Sequence, residues 1–283
     1  MTLVAICSGK GSPGVSTLTC VAGAVWPSGR RVLISECDPS GNDLAARFGL
    51  SQRVGITSLV LAHRHPNNSK TGLSEHVQSL PGGLEALVGP VNPDAAMSLD
   101  RELGAVGPMI FPREVDILID CGRILADAPG QRGILSAADE IIVVARPDTS
   151  GMAHTLWALD VVRKLACRGA SSVVVVGPSE FHNGEIERSL RTTILGSIPF
   201  DAPSAAMACG KPGRPKRFAR SSLVSSVRLL VDRLSAAQRV EIIGPQRGPH
   251  DAEEIVANPP DSSLVAPRFN GAAIGQQIAG LGP

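Results

Sequence analysis

The chain has 283 residues, 43% of them hydrophobic and 19% charged, which is enough to build the core of a soluble globular protein. Its formal net charge of +1 gives no overall attraction to nucleic acid or anionic lipid, so any such binding must come from a local patch. The six cysteines form no CxxC pair, which argues against a zinc site or a disulfide framework. The start of the chain predicts no signal peptide, and no apolar run is long enough for a transmembrane helix, so we expect a cytoplasmic protein.

Short β-branched runs alternate with helix-like stretches along the chain. Most of these runs are too apolar to have a wet face, which indicates strands buried on both sides of a sheet and joined by right-handed crossovers. We predict an α/β fold with a mostly parallel twisted sheet of about seven or eight strands and helices on both faces. The predicted strands are 3–7, 31–35, 84–89, 116–120, 140–145, 172–177 and 193–198, and the clearest helices are 16–26, 150–168 and 220–234.

Two segments fall outside this alternation. Residues 52–81 are polar and rich in histidine, which predicts a surface excursion. Residues 244–283 are rich in Gly, Pro and Ala and lack strong periodicity. The sequence therefore predicts one α/β domain over residues 1–240 and a flexible extension over residues 241–283.

A glycine-rich turn between the first strand and the first helix is the context of a phosphate-binding loop. Glycines let backbone N–H groups close around phosphate oxygens, and the helix start adds the positive end of its dipole. Ser16 is placed to ligate Mg²⁺, whereas Val15 stands where the motif has lysine. The alternative is a turn that binds nothing. The candidate loop consists of Gly9, Lys10, Gly11, Ser12, Pro13, Gly14, Val15, Ser16 and Thr17.

The segment 10–17 resembles the deviant phosphate loop of the ParA/MinD ATPases, which carries an additional lysine near its start. Lys10 stands at that place. In the family this lysine reaches across a nucleotide-sandwich dimer to the phosphates bound by the partner. The resemblance therefore implies ATP and Mg²⁺ as cofactors, an ATP-dependent homodimer and a catalytic role for Lys10.

Later segments resemble the same family in the same order. Residues 36–42 resemble its acidic segment after the second strand, which implies that Asp38 orients the attacking water and that Glu36 and Asp38 help to hold hydrated Mg²⁺. Residues 115–122 resemble a Walker B strand, so Asp120 would bind the metal through water. Alternatively, Asp38 caps a helix and Asp120 is a turn residue. The segments expected near the base contain Arg146, Pro147, Pro199 and Asp201.

The absence of lysine at position 15 bears on activity, because that lysine normally pairs with the β- and γ-phosphates. One charge-assisted hydrogen bond is worth about 1.5–3 kcal/mol, so affinity falls roughly ten- to a hundredfold unless another cation substitutes, and Lys10 is the candidate. Three outcomes remain open: a slow ATPase, a nucleotide switch without turnover, or a pseudo-ATPase. The retention of Lys10, Ser16, Asp38 and Asp120 favours the first two.

A basic cluster follows the last predicted strand. Repeated phosphate neutralisation would give it sequence-independent DNA affinity, although a solvated loop is the other interpretation. A peripheral membrane contact is less favoured, because the tail has few cations and a weak apolar face. An adaptor that contacts an unidentified protein partner in a secretion, pilus or polarity complex is the alternative function, and enzymatic metabolism of a small substrate is a third. The cluster consists of Lys211, Arg214, Lys216, Arg217 and Arg220.

Overall fold

A computed structural model describes residues 2–11, 13–27, 29–64, 72–111, 114–165, 167–179 and 181–243, with side chains as far as residue 236. Its eight-stranded sheet has the order β3-β4-β2-β5-β1-β6-β7-β8. Every neighbouring pair is parallel except β3 and β4, which are antiparallel. The strands are β1 (Leu3–Ser8), β2 (Val32–Glu36), β3 (Gln78–Ser79), β4 (Glu85–Leu87), β5 (Asp116–Arg123), β6 (Glu140–Ala145), β7 (Ala170–Val176) and β8 (Thr193–Ile198).

Helices cover both faces of this sheet, which confirms the predicted fold class. Alternate residues of β1 show the two faces: Leu3 and Ala5 pack in one apolar cluster, and Val4 and Ile6 pack in the other. Residues of α3 to α7 pack in the first cluster, and residues of α1, α2 and α10 pack in the second. The helices are α1 (Val15–Ala24), α2 (Leu44–Phe48), α3 (Ile56–Arg64), α4 (Pro93–Val106), α5 (Pro129–Ala137), α6 (Thr149–Lys164), α7 (Asn183–Leu190), α8 (Ala202–Ala208), α9 (Pro215–Ala219) and α10 (Ser222–Ile243).

The segment 52–81 differs from the predicted surface excursion. Its described part contains α3 and the edge strand β3, which pairs with β4. Ile56 and Val60, one helical turn apart, are buried in the core, and the partly buried Leu59 packs against the same apolar cluster. The predicted flexible extension beyond residue 243 lies outside the described residues.

The strand order also places the candidate site. After β1 the chain moves to β2 on one side of the sheet, and β6 pairs with β1 on the other side. In open α/β sheets, ligands bind at the carboxyl ends of the strands where the order reverses in this way. The carboxyl ends of β1, β2 and β5 meet at this point, and they lead to the residues predicted to bind phosphate and metal.

None of the helices in the described part of the chain is both long enough and apolar enough to cross a membrane.

Candidate functional site

The turn between β1 and α1 has the backbone geometry of a strand-to-helix loop. The Ser8 hydroxyl donates to the Lys10 carbonyl at 2.9 Å. Gly14 has a φ of 108°, a conformation that favours glycine, and stands immediately before α1. A β-carbon on Gly9 would lie 2.0 Å from the carbonyl oxygen of His154 in α6, so only glycine fits there. Ser12, part of the predicted loop, lies outside the described residues.

The first turn of α1 faces a cavity of about 420 Å³. The first N–H groups of a helix have no acceptor within the helix, so they are free to bind an anion. Three segments enclose the cavity: the turn after β1, the residues after β2 with α2, and the end of β5. The lining residues are Ser8, Gly11, Pro13, Gly14, Val15, Ser16, Thr17, Asp38, Ser40, Asp43, Arg47, Gly122 and Arg123.

Asp120 lies buried near the end of β5, beside the start of α1. Its carboxylate accepts the Gly122 N–H at 2.9 Å and a hydrogen bond from the Ser16 hydroxyl. Burial raises the pKa of Asp120 above its usual value, although these hydrogen bonds oppose the rise. The structure therefore brings two residues of the predicted metal site, Ser16 and Asp120, into direct contact.

Asp38 lies on the wall of the same cavity, after β2. Its Oδ1 accepts the Ser40 N–H at 2.7 Å. Burial, together with the nearby charge of Asp120, raises the pKa of Asp38 to about 6, although Ser40 and the positive charge of Arg123 act in the opposite direction. Asp38, Asp120 and Ser16 thus converge from three separate elements.

Glu36 is buried and its carboxylate is occupied by the backbone. It accepts the N–H groups of Asp43 and Leu44, both at 2.9 Å, and that of Gly89 at 3.1 Å. Burial raises the pKa of Glu36 to about 7 against the opposing effect of these three bonds. Its visible role is to join the start of α2 to the end of β4, and its predicted metal role stays a prediction.

Lys10 points away from the phosphate cavity. The exposed side chain places Nζ 3.0 Å from the Ser150 Oγ of α6. It lines a second cavity of about 140 Å³ together with Arg146 and Asp148. Val15 is only 6% exposed and packs in the apolar cluster below the loop. Neither residue therefore places a cation in the larger cavity.

The residues predicted to lie near the adenine base fall into two groups, one at the second cavity and one at the start of α8. Arg146 lines the second cavity and lies 3.9 Å from the Asp148 carboxylate, and Pro147 is buried beside it. Asp201 caps α8, where it accepts the Ser204 N–H at 3.1 Å and the Ser222 hydroxyl at 3.3 Å. Pro199 and Asp201 are absent from the lining of both cavities.

Sequence reasoning missed several polar residues of the larger cavity. Arg47 donates to the Cys209 Sγ at 3.1 Å and to the Asp43 carboxylate at 2.5 Å. Cys209 in turn lies 3.4 Å from the Thr17 hydroxyl of α1. Arg123 directly follows the end of the predicted Walker B segment, and that position could have indicated that it lies at the site. No local pattern marked Arg47.

All five cations of the predicted basic cluster at residues 211–220 are exposed. Its middle forms the short helix α9. Within the described part of the chain, no ion pair neutralises any of its five cations. The cluster therefore presents uncompensated positive charge to the solvent.

No protein-family model matches the chain. Among curated proteins, the ESX-1 secretion-associated protein EspI of Mycobacterium tuberculosis H37Rv is 28% identical over 188 residues. The match covers 64% of this chain and 27% of EspI, so the chain matches only about a quarter of that relative's length.

Solved structures resemble nearly the whole described chain. The septum site-determining protein MinD of Pyrococcus horikoshii, complexed with Mg-ADP, has a TM-score of 0.65 and 22% identity, covering 84% of this chain and 97% of its own. A ParA family ATPase from Chlorobium tepidum has a TM-score of 0.62 and 17% identity, with coverages of 82% and 98%. The MinC:MinD cell division complex of Aquifex aeolicus gives 0.62 and 19%, with coverages of 83% and 96%. The chain has the fold of the ParA/MinD-type P-loop ATPases.

Proposed function

We propose that the protein is a nucleotide-dependent switch that binds ATP with Mg²⁺ at the start of α1. The observation that carries this proposal is that the first turn of α1 and Asp38 line one cavity at the carboxyl edge of the sheet, with the buried Asp120 next to Ser16 behind this lining. The MinD of P. horikoshii, which shares this fold, was solved with Mg-ADP. The triphosphate would lie against the backbone N–H groups of residues 14–17.

The residues at the cavity suit magnesium. Mg²⁺ prefers oxygen ligands and is usually held by one or two carboxylates, water and substrate phosphates. Ser16, Asp38 and Asp120 supply such oxygens, whereas no group of three or more Asp, Glu, His or Cys in the described residues is arranged to hold a metal without a nucleotide. Mg²⁺ would therefore enter with the nucleotide and neutralise charge on its phosphates.

Hydrolysis of ATP to ADP and phosphate is expected to be slow. Asp38 would position the attacking water at the cavity wall. The cavity lacks the usual loop lysine, because position 15 is a valine whose side chain packs in the core. We therefore expect a low rate of phosphate release that Asp38→Ala abolishes and Lys10→Ala reduces. Turnover equal to that of a buffer blank would leave a switch that binds without hydrolysis.

ATP would also drive formation of a homodimer. Lys10 is exposed beside the second cavity, and among the described residues its side chain is bonded only to the Ser150 hydroxyl, so it can reach another surface. Light scattering of the Asp38→Ala protein with ATP should give twice the monomer mass, and Lys10→Ala should prevent this. A monomer under both conditions would exclude the dimer.

The exposed basic cluster favours nonspecific DNA as one surface on which the switch acts. Several uncompensated cations, doubled in a dimer, would retain DNA with an affinity that falls steeply with salt. Neutralising Arg214, Lys216 and Arg217 together should abolish retention in the ATP state. If the protein still retains DNA after these changes, the cluster is a solvated surface loop and not the DNA-binding site.

The second candidate function is a pseudo-ATPase adaptor in a secretion complex. Two observations favour it: Val15 replaces the loop lysine, and the relative EspI is described as secretion-associated. The MinC:MinD complex shows that a protein of this fold binds a protein partner. Peripheral membrane contact is a weaker candidate, which vesicle sedimentation with and without residues 244–283 tests.

A direct titration distinguishes the two candidates. The full chain is titrated with fluorescently labelled ATP in the presence of Mg²⁺, and again with excess EDTA. The switch predicts saturable binding that Mg²⁺ strengthens. Absence of binding at millimolar nucleotide would remove the switch and leave the adaptor.

A further inference from the structure

The phosphate cavity lacks the two cations that the loop would be expected to supply. Val15 is buried in the core, and Lys10 is directed to Ser150 of α6. The cavity wall also carries the carboxylates of Asp38 and Asp43. A triphosphate would enter this negative environment only if other positive groups faced it.

Arg47 is one such group. It projects from α2 into the lining of the cavity and is 29% exposed. Its guanidinium donates to the Cys209 Sγ, which lies 3.4 Å from the Thr17 hydroxyl in the first turn of α1. Asp43, which immediately precedes α2, accepts a second hydrogen bond from this guanidinium. The guanidinium is therefore held beside the helix start, paired with a carboxylate that a phosphate can replace.

Arg123 is the second group. Its side chain lines the cavity, is exposed, and makes no hydrogen bond or ion pair within the part of the chain that the structure describes. Its backbone is fixed, because the buried Gln131 donates to the Arg123 carbonyl at 2.9 Å and to the Cys121 carbonyl at 2.7 Å. The Ile124 N–H bonds Ser8 at 2.8 Å, which ties this segment to the end of β1. This guanidinium thus stands on a rigid support, with its positive charge acting on Asp38.

We propose that Arg47 and Arg123 together replace the absent loop lysine and bind the phosphates of the nucleotide. This inference rests on the proposed nucleotide switch and names the residues that give it affinity. A guanidinium offers a planar fork of N–H donors that matches two phosphate oxygens, so it suits this task from a position beside the loop rather than within it. On binding, Arg47 exchanges its Asp43 partner for a phosphate.

The test measures the dissociation constants of Mg-ATP, tripolyphosphate and adenosine by competition with fluorescently labelled ATP. Arg47→Ala and Arg123→Ala should each weaken ATP and tripolyphosphate about ten- to a hundredfold, because each loses a charge-assisted bond to phosphate. Adenosine, which has no phosphate, should change less than about twofold. Arg132→Ala on α5 is the matched control and should leave every constant unchanged.

Arg47→Ala also removes contacts within the fold, so its thermal unfolding is recorded, and Arg123→Ala carries the test without that complication. Val15→Lys in the Arg47→Ala background should restore ATP affinity. Unchanged ATP and tripolyphosphate affinity in a variant that carries both Arg47→Ala and Arg123→Ala would overturn the inference while the switch stands. If the unsubstituted protein fails to bind ATP, the switch itself falls, and the assignment of both arginines falls with it.

Discussion

A β-carbon placed on Gly122 would lie 1.9 Å from Oδ2 of Asp38, so this carboxylate packs directly against the backbone at the end of β5. Gly122 has a φ of 59°, in the left-handed region that other residues rarely adopt. Its N–H also donates to Asp120. One glycine therefore contacts both carboxylates of the candidate site through its main chain.

Gly122→Ala should disturb this arrangement. The left-handed backbone costs a non-glycine residue about 1–2 kcal/mol, and the added methyl group forces Asp38 out of place. We expect a lower free energy of unfolding in urea and weaker binding of Mg-ATP. The control is Gly133→Ala in α5, where a β-carbon meets no atom within 4 Å. There we expect a gain of about 0.5–1 kcal/mol, since alanine favours helix. Equal behaviour of the two variants would contradict this account.

Glu36→Ala should destabilise the fold rather than act only on metal binding. Three backbone N–H groups lose their acceptor, and each buried donor left unpaired costs about 1–3 kcal/mol. We expect a loss of at least about 3 kcal/mol in urea unfolding, with Glu36→Gln intermediate. Glu85→Ala, which removes a partly exposed pair with Arg31, should cost no more than about 1 kcal/mol. A Glu36→Ala protein as stable as the Glu85→Ala protein would refute the structural role.

Val15→Lys should tighten ATP binding. A lysine in the first turn of α1 would leave the core and extend its ammonium into the cavity that this position lines. One added charge-assisted bond predicts a gain of about tenfold in affinity, measured by calorimetry. Val15→Met, which is long but uncharged, should give no gain. An equal change in both variants would show that packing, not charge, controls the site.

Thiol labelling should report occupancy of the cavity. Burial raises the pKa of Cys7 and Cys37 to about 12, so these thiols stay protonated and unreactive at neutral pH. Cys209 is only partly buried and contacts Thr17 and Arg47 at the cavity edge. Mass spectrometry after brief alkylation should show that Mg-ATP slows labelling of Cys209 several-fold but not that of Cys167. Equal rates at Cys209 with and without Mg-ATP would place the nucleotide elsewhere.

Much of the fold could be predicted from the sequence, because the period of the apolar residues indicates which faces are buried. The strands predicted at 140–145 and 193–198 have those bounds in the structure. The helix α3 was missed because only Ile56 and Val60 are buried in it, and because the segment 52–81 that contains it is polar overall. Local patterns of this kind reveal an element only when its buried face is wide.

The candidate site was less readable than the fold. The loop and Asp120 occur in local motifs with a fixed place on strand or helix. Arg47 lies nine residues after Asp38, and its position beside Thr17 depends on how α2 packs, which spacing does not encode. Glu36 likewise collects N–H groups from residues 43, 44 and 89, so its backbone role exists only in three dimensions.

The most direct test of the central claim is a crystal structure of the protein grown with Mg²⁺ and a non-hydrolysable ATP analogue. We predict that the phosphates lie against the backbone N–H groups of residues 14–17, with the metal between Ser16 and the carboxylates of Asp38 and Asp120. Crystals grown at millimolar analogue that hold no nucleotide in this cavity, or hold it at another surface, would contradict the claim.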